Sequence, residues 1–224
     1  MAKKKIIIIM TIVSICCLLM GLVDAVIRPQ YMVKSIIKIL LFLICPIVYS
    51  MYDKELKLKL LLKPNHKGLI IAVISGISVF TIIFGGYFLI GNLFDLSGIT
   101  SSLTANIGVS KNNFLWVAIY ISLVNSLLEE FFFRGFAFLT LKRFASRKFA
   151  YVFSSLIFAI YHLAMMVGWF DVILFILTIS SLFIGGLIFD YFNEKYENIY
   201  ISWLVHMFAN FAINGIGFIL FGIV

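Results

Sequence analysis

Charged residues are scarce in this sequence of 224 residues: Asp, Glu, Lys and Arg make up 12% of it, and hydrophobic residues make up 63%. A soluble domain carries roughly 25% charged residues, so this composition excludes a soluble fold. The apolar runs are continuous rather than alternating, and a helix needs about 20 such residues to cross a hydrocarbon core of about 30 Å. Because lipid offers no partner to backbone polar groups, only helices and closed barrels can span it, and continuous runs select helices.

We therefore predict an all-α, polytopic transmembrane helix bundle of about seven spans. The second span is the weakest, because Lys34 and Lys38 enter it; we expect both side chains to snorkel to the interface. The polar residues 95–113 are expected to form an external loop. The predicted spans cover residues 6–23, 33–51, 68–91, 113–139, 150–169, 172–192 and 199–223.

Cysteine is also rare, and Cys16, Cys17 and Cys45 all lie in predicted spans without a CxxC pattern. Neither a disulfide framework nor a cysteine metal site is therefore predicted. The first span resembles a signal peptide, with three lysines before an apolar run and Val23-Asp24-Ala25 at a cleavage-like position. Its apolar run is longer than the 7–15 residues or so that are usual for such a peptide, so we expect an uncleaved anchor.

Basic residues favour one orientation, because loops rich in Lys and Arg stay in the cytoplasm. The N-terminus is therefore predicted to be cytoplasmic and the C-terminus to be outside. The net charge of +8 then indicates topology and contact with anionic lipids rather than binding to nucleic acid. The basic residues on the predicted cytoplasmic side are Lys3, Lys4, Lys5, Lys54, Lys57, Lys59, Lys63, Lys67, Lys142, Arg143, Arg147, Lys148 and Lys195.

A few ionisable side chains lie inside the predicted spans, where each costs about 2.5–3.5 kcal/mol at the bilayer centre. Such residues are candidates for function. With a helix rise of about 1.5 Å per residue, the groups of the fourth, fifth and seventh spans lie at similar depths in the cytoplasmic half. Asp190 lies near the end of the sixth span, close to water, and is given no role. The candidates are Glu129, Glu130, Arg134, His162, His206 and Asn210.

Helical spacing suggests how these residues divide their roles. Glu130 and Arg134 are four residues apart and can form an ion pair. Glu129 is rotated by about 100° from Glu130, so we expect Glu129 to face the cavity while Glu130 neutralises Arg134. A carboxylate beside an imidazole, here that of His162, can activate water as a general base. His206 and Asn210, one turn apart, can supply the hydrogen bonds that stabilise an oxyanion.

Three classes of function fit these residues. The first is a metal-independent protease. The second is a zinc hydrolase in which His162, His206 and a glutamate bind the metal, although HExxH is absent from the sequence. The third is not an enzyme, such as a proton-coupled transporter, although the sequence has no inverted repeat of the kind that such carriers show.

Three motifs carry a specific resemblance. Residues 129–134 read EEFFFR, residues 158–162 read FAIYH and residues 206–210 read HMFAN. In this order, on separate spans, they resemble the EExxxR, FxxxH and HxxxN motifs of the CAAX-protease and bacteriocin-processing family, also called Abi. The resemblance covers residues 68–224, the predicted catalytic bundle. Residues 1–67, with two helices and a basic loop, look like an addition to it.

The resemblance implies an intramembrane glutamate protease with its cavity open to the cytoplasm, and no metal or other cofactor is expected. It implies that Glu129 and His162 activate water, that His206 and Asn210 stabilise the oxyanion, and that Glu130 and Arg134 are structural or orient the substrate. Phe158 is expected to pack or to line the cavity. The substrate would be a membrane-associated peptide or protein, and the location the plasma membrane of a bacterium. The alternative within the family is a non-catalytic immunity or regulatory scaffold.

Overall fold

The computed structural model describes residues 2–53, 55, 56, 58, 68–166 and 169–224. All regular structure in this part of the chain is helical, so the all-α prediction is confirmed. Five of the basic residues assigned to the cytoplasmic side lie outside the described residues, namely Lys54, Lys57, Lys59, Lys63 and Lys67. The boundary predicted between residues 67 and 68 lies at the edge of the same undescribed part of the chain. The helices are α1 (Ala2–Ile27), α2 (Tyr31–Tyr52), α3 (Leu69–Leu93), α4 (Ser97–Ile107), α5 (Phe114–Leu139), α6 (Arg147–Met166), α7 (Val172–Tyr196) and α8 (Tyr200–Leu220).

Within the described residues, seven helices are long and apolar enough to cross a membrane, namely all of these except α4. Each coincides with one of the predicted spans to within a few residues, so the number and the order of the spans are confirmed. The helix α4 corrects the expectation of a loop at residues 95–113. It ends at Gly108, which has a φ of 69°, a left-handed conformation that glycine adopts without strain.

An aromatic core joins α2 to α5 and α6. Phe42 of α2 is fully buried and stacks on Phe132 of α5, with ring centroids 4.1 Å apart. Its ring also lies edge-on to Phe133 and to Tyr161 of α6, at 5.5 Å and 5.2 Å. Offset and edge-on pairs of this kind contribute about 0.5–1.5 kcal/mol each beyond the area that they bury. Buried residues of α1 belong to the same cluster, among them Val13 and Met20. The first two helices therefore pack into the same core as the helices that carry the motifs.

Close approach of α6 and α7 depends on Gly186. A Cβ atom at this position would lie 2.9 Å from the Cβ atom and 3.0 Å from the Cα atom of Ser155, so only glycine fits there. Small residues allow helices in membranes to approach closely. One turn after Gly186, the same contact brings Asp190 of α7 against Ser154 and Ser155 of α6.

Candidate active site

The first motif lies on a helix whose hydrogen bonding changes along its length. In α5, residues Ser126–Glu129 are α-helical and are flanked by π-helical segments at Ile121–Asn125 and Glu130–Leu139. A π-helix is wider than an α-helix and is frequent at functional sites. Glu129, Glu130 and Arg134 expose 2%, 0% and 0% of their surface, so all three point into the bundle.

The two carboxylate oxygens of Glu129 have different neighbours. Oε1 accepts hydrogen bonds from Lys38 Nζ at 2.5 Å and from Asn125 Nδ2 at 3.0 Å. Oε2 lies 3.8 Å from His162 Nε2 and 3.7 Å from His206 Nε2. One oxygen is therefore held by the protein, while the other faces two imidazole nitrogens at distances too long for direct hydrogen bonds.

The ring of His162 is oriented by its own helix. Its Nδ1 atom lies 2.8 Å from the carbonyl oxygen of Phe158. Because a carbonyl can only accept a hydrogen bond, Nδ1 carries the proton. In the neutral ring Nε2 then has a free lone pair, and this is the atom that faces Glu129. Phe158 packs edge-on against the ring, with centroids 4.7 Å apart.

The ring of His206 lies between two carboxylates. Its Nδ1 atom is 3.0 Å from Oε1 of Glu130, and its Nε2 atom is 3.7 Å from Oε2 of Glu129. Glu130 therefore faces His206 as well as Arg134, because its two oxygens have different neighbours. Its other oxygen, Oε2, lies 3.6 Å from Nε of Arg134. Phe189 stacks on the imidazole at 5.4 Å and fixes the plane of the ring.

A second carboxylate, that of Asp190, lies beside Arg134 and was not predicted to be part of the site. Asp190 is fully buried, and its Oδ1 atom lies 3.7 Å from Arg134 Nε. The hydroxyl groups of Ser154 and Ser155 each donate to Asp190 at 3.1 Å. The expectation that Asp190 lies near water and has no role is therefore wrong. The signal in the sequence was a carboxylate within a predicted span, which calls for a cation as partner.

Arg134 is also held between aromatic rings. The centre of its guanidinium lies 4.0 Å from the centroid of Phe158 and 5.0 Å from that of Phe189. Cation–π contacts that are shielded from water contribute about 2 kcal/mol or more. Phe158 thus packs against both Arg134 and His162.

The buried lysines of α2 correct another expectation. Lys34 and Lys38 expose 7% and 4% of their surface, so neither snorkels to the interface. Lys34 pairs with Asp24 of α1 at 2.6 Å, and Lys38 pairs with Glu129. Opposite charges inside the bundle remove the need to reach the interface. The helix α2 therefore contributes a charged group to the site itself.

Asn210 lies on the same face of α8 as His206, one turn further on. Its Nδ2 atom donates to the carbonyl oxygen of Ile121 at 3.2 Å, in the first π-helical segment of α5. An amide nitrogen carries two hydrogens, so one further N–H is free of this bond. One more turn along α8, Asn214 donates to Ala118 O at 3.3 Å and to Ser122 Oγ at 3.0 Å.

The structure thus brings together Glu129, His162 and His206, as the depths along the spans predicted. In the described part of the chain, no group of three His, Cys, Asp or Glu side chains has an arrangement that could hold a metal ion. What the three side chains do offer is a carboxylate oxygen and two imidazole nitrogens around one small volume. Such an arrangement can hold and deprotonate a water molecule.

Comparison with known protein families finds a match over the part of the chain that carries the three motifs. The family described as type II CAAX prenyl endopeptidase Rce1-like matches residues 111–212, a little under half of the chain. This matched segment, the Rce1-like region, contains the three motifs, which confirms the resemblance stated above. The seven apolar helices indicate a multi-pass membrane protein. Lys38 lies outside the Rce1-like region. No curated protein and no solved structure matches the chain.

Proposed function

We propose that this chain is an intramembrane endopeptidase in which Glu129 and His162 activate a water molecule. One observation carries the proposal: Oε2 of Glu129 lies 3.8 Å and 3.7 Å from the Nε2 atoms of His162 and His206. Polar atoms at such distances are often bridged by water. The Rce1-like match supports the same class of reaction.

The reaction begins when the water oxygen attacks the carbonyl carbon of the scissile amide. One proton of the water passes to Glu129 or to Nε2 of His162 as the new C–O bond forms. That proton is then delivered to the amide nitrogen, and the C–N bond breaks. The products are a carboxylic acid and an amine, so the step requires no reagent other than water.

The negative charge on the tetrahedral intermediate needs donors fixed in advance, and α8 provides them. Nδ1 of His206 lies 3.0 Å from Oε1 of Glu130, which leaves Nε2 as the ring atom that faces the site. The carboxylates of Glu129 and Glu130 lie on either side of the ring and stabilise positive charge on it when it is protonated. Nε2–H of His206 and the free N–H of Asn210 are the proposed donors to the oxyanion.

The proposed substrate is a peptide or protein associated with the membrane, cut at a site open to the cytoplasm. In the proposed topology the N-terminus lies in the cytoplasm and the C-terminus lies outside. The proposed location is the plasma membrane of a bacterium. The basic residues at the cytoplasmic ends of the helices are expected to contact anionic lipids. Near the ends of α6 and α7, Arg147 and Lys142 pair with Glu194, while Lys148 is exposed.

Cleavage of a peptide library by the purified protein in lipid nanodiscs tests this function. Products are identified by mass spectrometry, and the rate is expressed per folded molecule. Glu129→Gln keeps the shape of the side chain but removes the base, so turnover should become undetectable. Glu55→Gln, an exposed change at the surface, is the control and should retain the wild-type rate. Equal cleavage by wild type and Glu129→Gln would refute the proposal.

A further inference from the structure

The amino group of Lys38 lies within the candidate site, although α2 is not part of the Rce1-like region. Its Nζ atom is 2.5 Å from Oε1 of Glu129 and 2.5 Å from Oδ1 of Asn125. The rings of Tyr161 and Phe42 flank the ammonium, with centroids at 5.0 Å and 5.5 Å. Lys38 exposes 4% of its surface, so these contacts are shielded from solvent.

The ammonium group of Lys38 forms its ion pair with Glu129. The neighbouring cation one turn earlier, Lys34, has its own partner in Asp24. Two further ionisable groups, His162 of α6 and His206 of α8, face the second oxygen of Glu129. Removing one member of a buried pair leaves an uncompensated charge, which is strongly unfavourable. Lys38 and Glu129 should therefore depend on each other.

The geometry also decides which oxygen of Glu129 is available. The terminal torsion of a glutamate side chain is broad and twofold, so an unrestrained carboxylate exchanges its two oxygens freely. Lys38 and Asn125 both bind Oε1, which leaves Oε2 directed at the two imidazoles. We propose that Lys38 is a positioning residue, which holds Oε1 of Glu129 so that Oε2 faces the water that is to be deprotonated.

This inference rests on the proposed function, and its first test measures catalysis. Lys38→Met keeps the length of the side chain but removes its charge. Misplacement of a reacting group by about 1 Å can cost about 100-fold in rate, so kcat per folded molecule should fall about 100-fold with little change in KM. Lys34→Met is the matched control, because it breaks a buried pair on the same helix without touching Glu129. It should lower the melting temperature and leave kcat near the wild-type value.

A second test needs no activity. The melting temperatures of Lys38→Met, Glu129→Gln and the double variant form a double-mutant cycle. Because both charges leave the core together, the double variant should melt at a higher temperature than either single variant. Additive losses would show that the two side chains are not coupled and would overturn the inference.

The outcomes separate this inference from the proposed function. If the wild type cleaves and Glu129→Gln does not, a wild-type kcat in Lys38→Met overturns the positioning role alone. If kcat falls equally in Lys38→Met and Lys34→Met, the effect is structural, which also overturns it. If the wild type cleaves no peptide, the proposed function fails and the positioning role fails with it, while the thermal cycle still decides whether the ion pair exists.

Discussion

The Nδ1 atom of His206 lies 3.0 Å from Oε1 of Glu130. This contact joins the third motif to the first and makes Glu130 more than the counter-charge of Arg134. Its Oε2 atom faces Arg134, and beyond Arg134 lies Asp190. A row of ionisable side chains thus extends from Asp190 on α7 through Arg134 and Glu130 to the imidazole on α8.

We expect Glu130→Gln to lower stability and to retain measurable turnover. The amide can still accept a hydrogen bond from His206, but Arg134 loses a negative charge beside it. Loss of one partner of a buried pair costs about 3–5 kcal/mol, reduced here because Asp190 also faces Arg134. Thermal melting and cleavage rate per folded molecule should be measured beside Glu129→Gln. If Glu130→Gln were stable and inert while Glu129→Gln cleaved, the roles of the two glutamates would have to be exchanged.

Asn210→Ala should reduce the rate without abolishing it. Loss of one oxyanion donor typically costs about 10²–10³ in kcat, and His206 still provides the other. Asn214→Ala is a matched control, because Asn214 lies one turn further along α8 and bonds to Ala118 and Ser122 rather than to the site. The Asn214→Ala variant should be less stable than the wild type but should keep nearly the wild-type kcat. Equal losses of kcat in both variants would mean that Asn210 only joins α8 to α5.

Asp190→Ala should be among the most destabilising single changes in the bundle. Asp190 is fully buried beside Arg134 and accepts hydrogen bonds from Ser154 and Ser155, so its loss should cost about 3–5 kcal/mol. Glu194→Ala on the same helix is the control. Glu194 forms its ion pairs with Lys142 and Arg147 at the end of the bundle, where such pairs contribute about 1 kcal/mol or less. Thermal melting in detergent compares the two, and equal shifts would contradict the role given to Asp190.

Activity should not depend on a metal ion if Glu129 and His162 act on water directly. Dialysis against a chelator should leave the cleavage rate unchanged, and elemental analysis of the purified protein should find no stoichiometric zinc. Activity that disappears in the chelator and returns with zinc alone would favour the zinc hydrolase. In that case His162→Ala would be expected to lose bound zinc, which gives a readout besides activity.

The sequence predicted the spans and most of the site because both depend on strong local signals. Long apolar runs locate the helices, and the three motifs lie at depths that bring Glu129, His162 and His206 together. Lys38 was missed because its partner lies on another helix far along the chain, and snorkelling is the usual behaviour of a lysine near a span end. Asp190 was missed in the same way. A partner across the bundle depends on how the helices rotate and pack, and hydropathy does not reveal that.

The direction of insertion is predicted from the basic residues, and it decides to which side the site opens. Lys148 lies at the start of α6 and is exposed, and Ser101 lies in α4 and is exposed. The helix α5 (Phe114–Leu139), which is long and apolar enough to cross a membrane, lies between these two positions in the chain. A cysteine at each position should therefore report opposite sides of the membrane. The native Cys16 and Cys17 are buried and Cys45 is partly buried, so the unaltered chain provides the background.

In intact cells, a membrane-impermeant thiol reagent should label Ser101→Cys and should leave Lys148→Cys unlabelled. Permeabilised cells are the control, because there both positions should react. The expectation follows from the rule that basic loops stay in the cytoplasm, and the start of α6 carries Arg147 and Lys148 with Lys142 and Arg143 just before it. The reverse pattern would place the N-terminus outside, and a substrate in the cytoplasm would then have no access through the face proposed here.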